Sequence, residues 1–170
     1  MTRHALPLLL AVVLAVGLAA CDSSDSVEPS PADIAGTYDV TAFRFQARAG
    51  GISPVNLRDT LNVEATNVRF LNSGQVVVNY VFQGGNEQVL LGQATVREEE
   101  VRVQFPDEDG RERLLLPESL TFDRDGTTLA ASADTRVNLA AFSDRFDDDE
   151  GTFEDIPGTL TLTLTPRVGL

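Results

Sequence analysis

The sequence predicts an all-β domain of about eight to ten short antiparallel strands, and three observations carry that prediction. From Ile34 onward the apolar residues recur with a period of two, not the helical period of about 3.6. The runs are rich in β-branched and aromatic residues, which suit a pleated, half-buried surface. Turn signals divide the runs at short spacing, and no stretch offers a long amphipathic helix. This order of elements is that of an up-and-down β-barrel, with a β-sandwich as the alternative. Barrel closure would remove the exposed edges through which strands otherwise aggregate.

The elements follow in chain order. Gly36-Thr37-Tyr38 begins the first strand, and Val68–Leu71 precedes an Asn72-Ser73-Gly74 turn. Val76, Val78, Tyr80 and Phe82 then alternate with Val77, Asn79, Val81 and Gln83. Val101, Val103 and Phe105 alternate with Arg102 and Gln104, and Pro106 to Gly110 reads as a turn. Asp125-Gly126 is a two-residue hairpin signal that sets Phe122 opposite Leu129 and Leu120 opposite Ala131, all four on one face. Arg136 to Phe142 fits a helix or an alternating strand. Leu160, Leu162 and Leu164 alternate with four threonines, from Thr159 to Thr165.

The N-terminus has a different grammar. Arg3 gives a short basic start, and the sixteen residues Ala5 to Ala20 carry no charge. That length falls short of the roughly 20 residues a spanning helix needs and fits a cleaved signal peptide. Residues 1–20 are read as that signal, 21–33 as a flexible acidic tether and 34–170 as a single β domain.

Leu18-Ala19-Ala20-Cys21 resembles the lipobox of bacterial lipoproteins at all four positions. The resemblance implies diacylation of the Cys21 thiol, cleavage before it, and a mature protein held on a membrane of the cell envelope, periplasmic or surface-facing. Asp22 resembles the inner-membrane retention signal of enteric lipoproteins, and acidic residues after the cysteine resemble a surface-export signal of other bacteria. A second resemblance covers the domain. Ile34 to Val40 around Gly36-Thr37-Tyr38, and Phe122-Asp123-Arg124-Asp125-Gly126-Thr127, resemble strand motifs of small lipocalin-like barrels. Tyr38 stands where that family has tryptophan, and the resemblance gives Arg167 the place of a basic residue packed across the first-strand aromatic.

Composition excludes several functions. All thirteen basic residues are arginine, against 26 acidic residues. Arg3 leaves with the signal, so the mature chain carries 12 − 26 = −14. Such a surface repels nucleic acid and anionic headgroups. The acidic, lysine-free balance resembles the compositional bias of high-salt organisms. Cys21 is the one cysteine, so no intramolecular disulfide can form, and His4 is the one histidine and leaves with the signal. Histidine triads, thiolate nucleophiles, Schiff bases and His/Cys metal sites are therefore excluded from the mature chain. Carboxylate-only chemistry survives, which keeps an enzyme as a third reading.

The candidate site is the barrel interior. Val78, Tyr80 and Phe82 face inward, with Gly92, Ala94 and Ala131 as small residues that leave room, joined by Ala133 and Ala141. Tyr80 is the polar handle for an apolar or amphipathic ligand. The run from Phe146 to Asp155 departs from EF-hand spacing, and its solvated reading outweighs an irregular calcium cage of Asp147, Asp149 and Glu154. No cofactor is expected. The sequence thus points to a lipid-anchored, non-catalytic barrel binding a small apolar ligand. The alternative is an interaction module with a filled core that docks another envelope protein. Interior volume separates the two.

Overall fold

The computed structural model describes residues 28–48, 53–137 and 156–167. Among these, nine strands form one antiparallel sheet: β1 (Gly36–Ala47), β2 (Val55–Asn56), β3 (Val63–Phe70), β4 (Gln75–Phe82), β5 (Glu87–Val96), β6 (Glu100–Gln104), β7 (Ser119–Asp125), β8 (Thr128–Val137) and β9 (Ile156–Pro166). From β3 to β9 each strand pairs with the next in the chain. β9 returns to β1, with pairs running from Tyr38↔Pro166 to Ala47↔Gly158. That ladder closes β1 and β3–β9 into an eight-stranded barrel and overturns the sandwich alternative. Two sheets would have left β1 and β9 as separate edges.

β1 changes partner along one edge. Gly36–Asp39 pair with β3, whereas Arg44 and Phe45 pair with the two-residue β2. The change falls at an irregularity between Val40 and Ala42 in the β9 ladder, where Thr41 is the extra residue. Its hydroxyl donates to the Thr163 carbonyl at 3.3 Å. A bulge of this kind bends a strand and sharpens its twist, so the second half of β1 diverges from β3. The short helix α1 (Leu57–Thr60) fills the seam, capped by the Asn56 side chain, which accepts from the Arg58 amide at 3.2 Å.

The alternation behaves as the sequence predicts. Along β4 the residues Val76, Val78 and Tyr80 are buried, and along β9 Leu160, Leu162 and Leu164 are buried. Each end of the barrel carries a plug. At the end where β1 begins, Pro31–Ile34 form a 3₁₀ turn and Ile34 is buried. The Tyr38 hydroxyl donates to the Ile34 carbonyl at 3.0 Å. This 3₁₀ turn begins within the segment read as tether. At the other end α2 (Glu108–Arg113) is capped by Asp107, whose carboxylate accepts from the Gly110 amide at 3.2 Å. Leu114 and Leu116 follow it into the core.

Two sequence expectations are corrected. Pro106 to Gly110 is not a simple turn but the entrance to α2: Asp107 spends its side chain on a helix N-terminus instead of a turn. The β7–β8 hairpin pairs Asp125 with Thr128 and Phe122 with Ala131, so its loop is Gly126-Thr127. Gly126 has φ of +60°, the glycine-first arrangement of a II′ loop, whereas the sequence reading places the loop at Asp125-Gly126. The register moves by two positions and not one, so Leu120, Phe122, Leu129 and Ala131 remain buried together.

Candidate functional site

Four of the six residues expected to line a ligand, Val78, Tyr80, Ala94 and Ala131, are buried side chains of the core, and Phe82 packs at its margin. Among the described residues the open space inside is small. An apolar cavity of about 30 Å³ lies between Val40, Val68, Val78, Phe105, Leu116 and Phe122, among others. That is near the share of liquid volume of one water, about 30 Å³, and the apolar lining offers a water no partners. Ligand pockets are on the order of 300–1,000 Å³. Of the six predicted residues only Val78 borders this cavity.

The reason lies in how the small residues are paired. A Cβ added to Gly92 would meet the Gln104 carbonyl at 2.8 Å and the Phe105 ring at 2.9 Å. The space that Gly92 frees is thus occupied by Phe105, just beyond the end of the neighbouring β6. On the other side of the barrel the Phe45 ring covers Gly158 in the same way. Small residues here mark places where an aromatic ring lies flat, which is how tapering barrels are filled. The missed signal was the cross-strand partner, which needs the register and not only the alternation.

Tyr80 also differs from the expected handle. Burial raises its phenol above the ordinary value, while Arg113 lowers it and Asp107 raises it further. Those two charges belong to the α2 end of the barrel, and Tyr80 is not among the residues that border the cavity. Tyr80 and Phe82 meet edge to face with ring centroids 5.3 Å apart.

At the opposite end, Arg167 does not reach the first-strand aromatic. Its Nε donates to the Asp39 carboxylate at 3.0 Å, forming an exposed ion pair on the outer face. The arginine charge that bears on Tyr38 is Arg124 of β7; it lowers the phenol's affinity for its proton while burial, the larger effect, raises it. Tyr38 packs edge to face on Phe70 with centroids 5.3 Å apart. Alternation explains the exchange: Asp39 and Tyr38 are neighbours in sequence and point to opposite faces.

One buried polar atom lacks a partner among the described residues. Arg58 on α1 donates through Nη1 to the Val40 carbonyl at 3.2 Å, taking the acceptor that β3 leaves free. Its Nε is buried with no hydrogen-bond partner. Val40, Val63 and Thr66 border both this seam and the cavity.

Asp39 and Asp134 are held below the usual carboxylate range by hydrogen bonds from Arg167 and Arg48 respectively, with Thr159 adding to the second. A catalytic acid at neutral pH needs the opposite shift. Among the described residues no three His, Cys, Asp or Glu side chains come together as a cation site. Cys21 and the calcium candidates Asp147, Asp149 and Glu154 lie outside the described residues, as does Ala141.

No family model matches the chain, and no curated protein sequence does. Two solved structures are similar to it. One is a lipocalin-like protein from Bacteroides uniformis, with 13% identity over 78% of this chain and 98% of that one, at a TM-score of 0.43. The other is an uncharacterized protein from Bacteroides eggerthii, with 13% identity over 78% and 99% of the two chains, at 0.38. The barrel itself rests on the β1–β9 ladder.

Proposed function

We propose that this chain is a lipid-anchored envelope protein, acylated at Cys21, whose barrel is a filled scaffold that acts by binding through its outer surface and without catalysis. The observation that carries the reading is that the interior cavity among the described residues is about 30 Å³, roughly a tenth of the smallest ordinary ligand pocket. Val89 and Leu91, on the outer face of β5, are 51% and 48% exposed, which supports a surface that meets another envelope component. Native mass spectrometry of the detergent-extracted protein tests the proposal. The expected mass is the acylated chain alone, and Ala94→Phe should destabilise the domain because Ala94 is buried against β6. A co-purified lipid that disappears in a folded Ala94→Phe variant would overturn it.

A second reading keeps the interior ligand, with Val78, Tyr80, Phe82, Gly92, Ala94 and Ala131 as its lining. What favours it is the α1 seam. Hydrating the unpartnered Arg58 Nε would recover on the order of 1–3 kcal/mol, so α1 is the cover that opens at least cost. In that reading the ligand enters between β1 and β3 and displaces core side chains. Hydrogen exchange that is as slow in α1 as in the central strands would exclude this route.

A further inference from the structure

We propose that the edge of β5 over residues 87–91 docks an extended segment of another envelope protein, apolar at alternate positions and flanked by basic residues, which adds to the sheet as a strand. The proposal deepens the surface-acting reading above and rests on it. β5 outruns its neighbour. It pairs with β4 from Glu87 onward, whereas its ladder with β6 runs only from Gln93↔Gln104 to Val96↔Val101. Two steps further, that register would set Leu91 against Pro106, which has no amide to donate. The chain instead leaves the sheet and enters α2 through its Asp107 cap. The direction of the remaining backbone bonds follows from two that are made. The Ala94 amide donates to the Gly74 carbonyl on the β4 side at 2.7 Å, and the Arg97 amide donates to the Glu100 carbonyl on the β6 side at 2.8 Å. Direction alternates along an antiparallel strand. Leu90 and Gly92 therefore bond to β4, while the amides and carbonyls of Glu87, Val89 and Leu91 point to the side that β6 has left. Among the described residues no backbone partner meets them there.

Two other stretches run past their neighbours, and neither offers such a surface. Residues 63–66 of β3 lie at the seam that α1 fills. From Ser132 onward β8 ladders with β9 alone, and its exposed side chains there, Ser132, Asp134 and Arg136, are polar. Sheet edges are ordinarily guarded by charge, proline or a cover. On this stretch of β5 Glu87 is the one charged guard. Val89 and Leu91 are the two large apolar side chains left exposed among the described residues. Val77 of β4 stands opposite Leu91 and extends the apolar surface.

The open backbone and the apolar row call for the same occupant. Unpaired amides and carbonyls recognise an extended chain, and alternate side chains of that chain fall beside Val89 and Leu91. The open stretch spans about 17 Å, the length of an ordinary strand. Charge sets the flanks. Glu87 stands on the edge itself, and α2 packs against β5, where a Cβ added to Gly110 would meet Leu90 Cδ1 at 2.9 Å. That helix exposes Glu108, Asp109 and Glu112, with Arg111 already paired to Glu108. Such a surround attracts lysine or arginine on the incoming segment, and a net charge of −13 on each chain opposes a second copy.

Fluorescence anisotropy on the full-length acylated protein in neutral detergent tests this. The probe is a labelled peptide of about nine residues that alternates valine with threonine between terminal lysines. Saturable binding is expected. The same peptide N-methylated at its valines, whose amides would face β5, should not bind, and glutamates in place of the lysines should weaken binding. Val89→Lys should weaken it by about tenfold or more. Ser132→Lys, the same change of charge on the β8 stretch, should leave it unchanged, and circular dichroism confirms that each variant is folded. Amide exchange gives a second readout: Val89 and Leu91 should exchange fast in the free protein and slowly with peptide bound, with Leu90 and Gly92 slow throughout. No saturable binding, equal binding of the N-methylated peptide, an equal loss in Ser132→Lys, or slow exchange at Val89 and Leu91 in the free protein overturns the site. A dimer of the parent that Val89→Lys dissociates, without capture of the peptide, gives the edge to a second copy and overturns it equally. A lipid adduct removed by Ala94→Phe would overturn the surface-acting reading and leave the β5 result standing, so the two failures are distinguishable.

Discussion

Phe105→Ala puts the filled interior to its most direct test. Phe105 is buried, covers Gly92 and borders the existing cavity. Removing the ring opens a void on the order of 100 Å³, which at about 24 cal/mol per Å³ amounts to about 2.4 kcal/mol. Lost transfer of the ring out of water adds about 1.5–3 kcal/mol, giving about 4–5 kcal/mol in all, the upper part of the range for such truncations. With a urea slope of about 1–3 kcal/mol per molar, the unfolding midpoint should fall by about 2 M. The void would also join the cavity of about 30 Å³ and approach the roughly 150 Å³ at which a dry apolar cavity accepts benzene. Benzene should therefore raise the melting temperature of Phe105→Ala and leave the parent unchanged. A loss below about 1 kcal/mol, or benzene binding by the parent, would show that the interior is open and that Phe105 is not its filler.

The other expectations concern the anchor, the acid limb, salt and the end plug. Cys21→Ser should remove the acyl mass and release the protein from the detergent phase; parent protein without added lipid mass would refute acylation. Asp39 and Asp134 have folded pKa values below their unfolded ones. Their contribution is present above the unfolded value near about 3.9 and is lost as pH falls through the folded value. The Asp39→Asn, Asp134→Asn pair should therefore flatten the fall of melting temperature below about pH 4, and an unchanged acid limb would count against both pairs. Screening of the chain's net charge of −13 should raise the melting temperature toward molar potassium chloride, and amides across Asp147–Glu150 should flatten that rise; a flat parent profile would contradict the solvated reading of the run. Tyr38→Phe removes the donor to the buried Ile34 carbonyl and should cost about 0.5–1.5 kcal/mol, measured by urea unfolding; no loss would mean that the plug does not depend on this bond.

Most of the fold was legible because alternation has one structural meaning when one face is buried. Val76, Val78 and Tyr80 could sit on the same strand face in no other way, and a two-position error in the β7–β8 register left every inward residue inward. Closure was not legible as a fact. It depends on β9 finding β1, a pairing between the two ends of the domain that no local signal records. The α2 helix was missed because an Asp followed by a glycine three residues later serves a turn and a helix N-terminus equally well. Arg167 was misplaced for a reason of parity: a residue facing Asp39 cannot also cross Tyr38.

The candidate site was least legible because interior volume is a property of pairs. Gly92 taken alone suggests room, and so does Gly158. Extending the Gln93↔Gln104 register by one step sets Gly92 against Phe105, and Phe45 lies diagonal to Gly158 in the β1–β9 ladder. In each case the absent side chain is the condition for the ring to lie down over the strand, the relation by which aromatics rescue glycines in sheets. A glycine facing an aromatic across a ladder is then half of a filled pair, and only a small residue facing another small residue leaves a hole. Ala131 pairs with Phe122 and Leu162, and Ala94 pairs with Val103 on one side and meets the Gly74 backbone on the other. In a chain with a single cysteine, and so no intramolecular disulfide, that packing and the β1–β9 ladder hold the barrel closed.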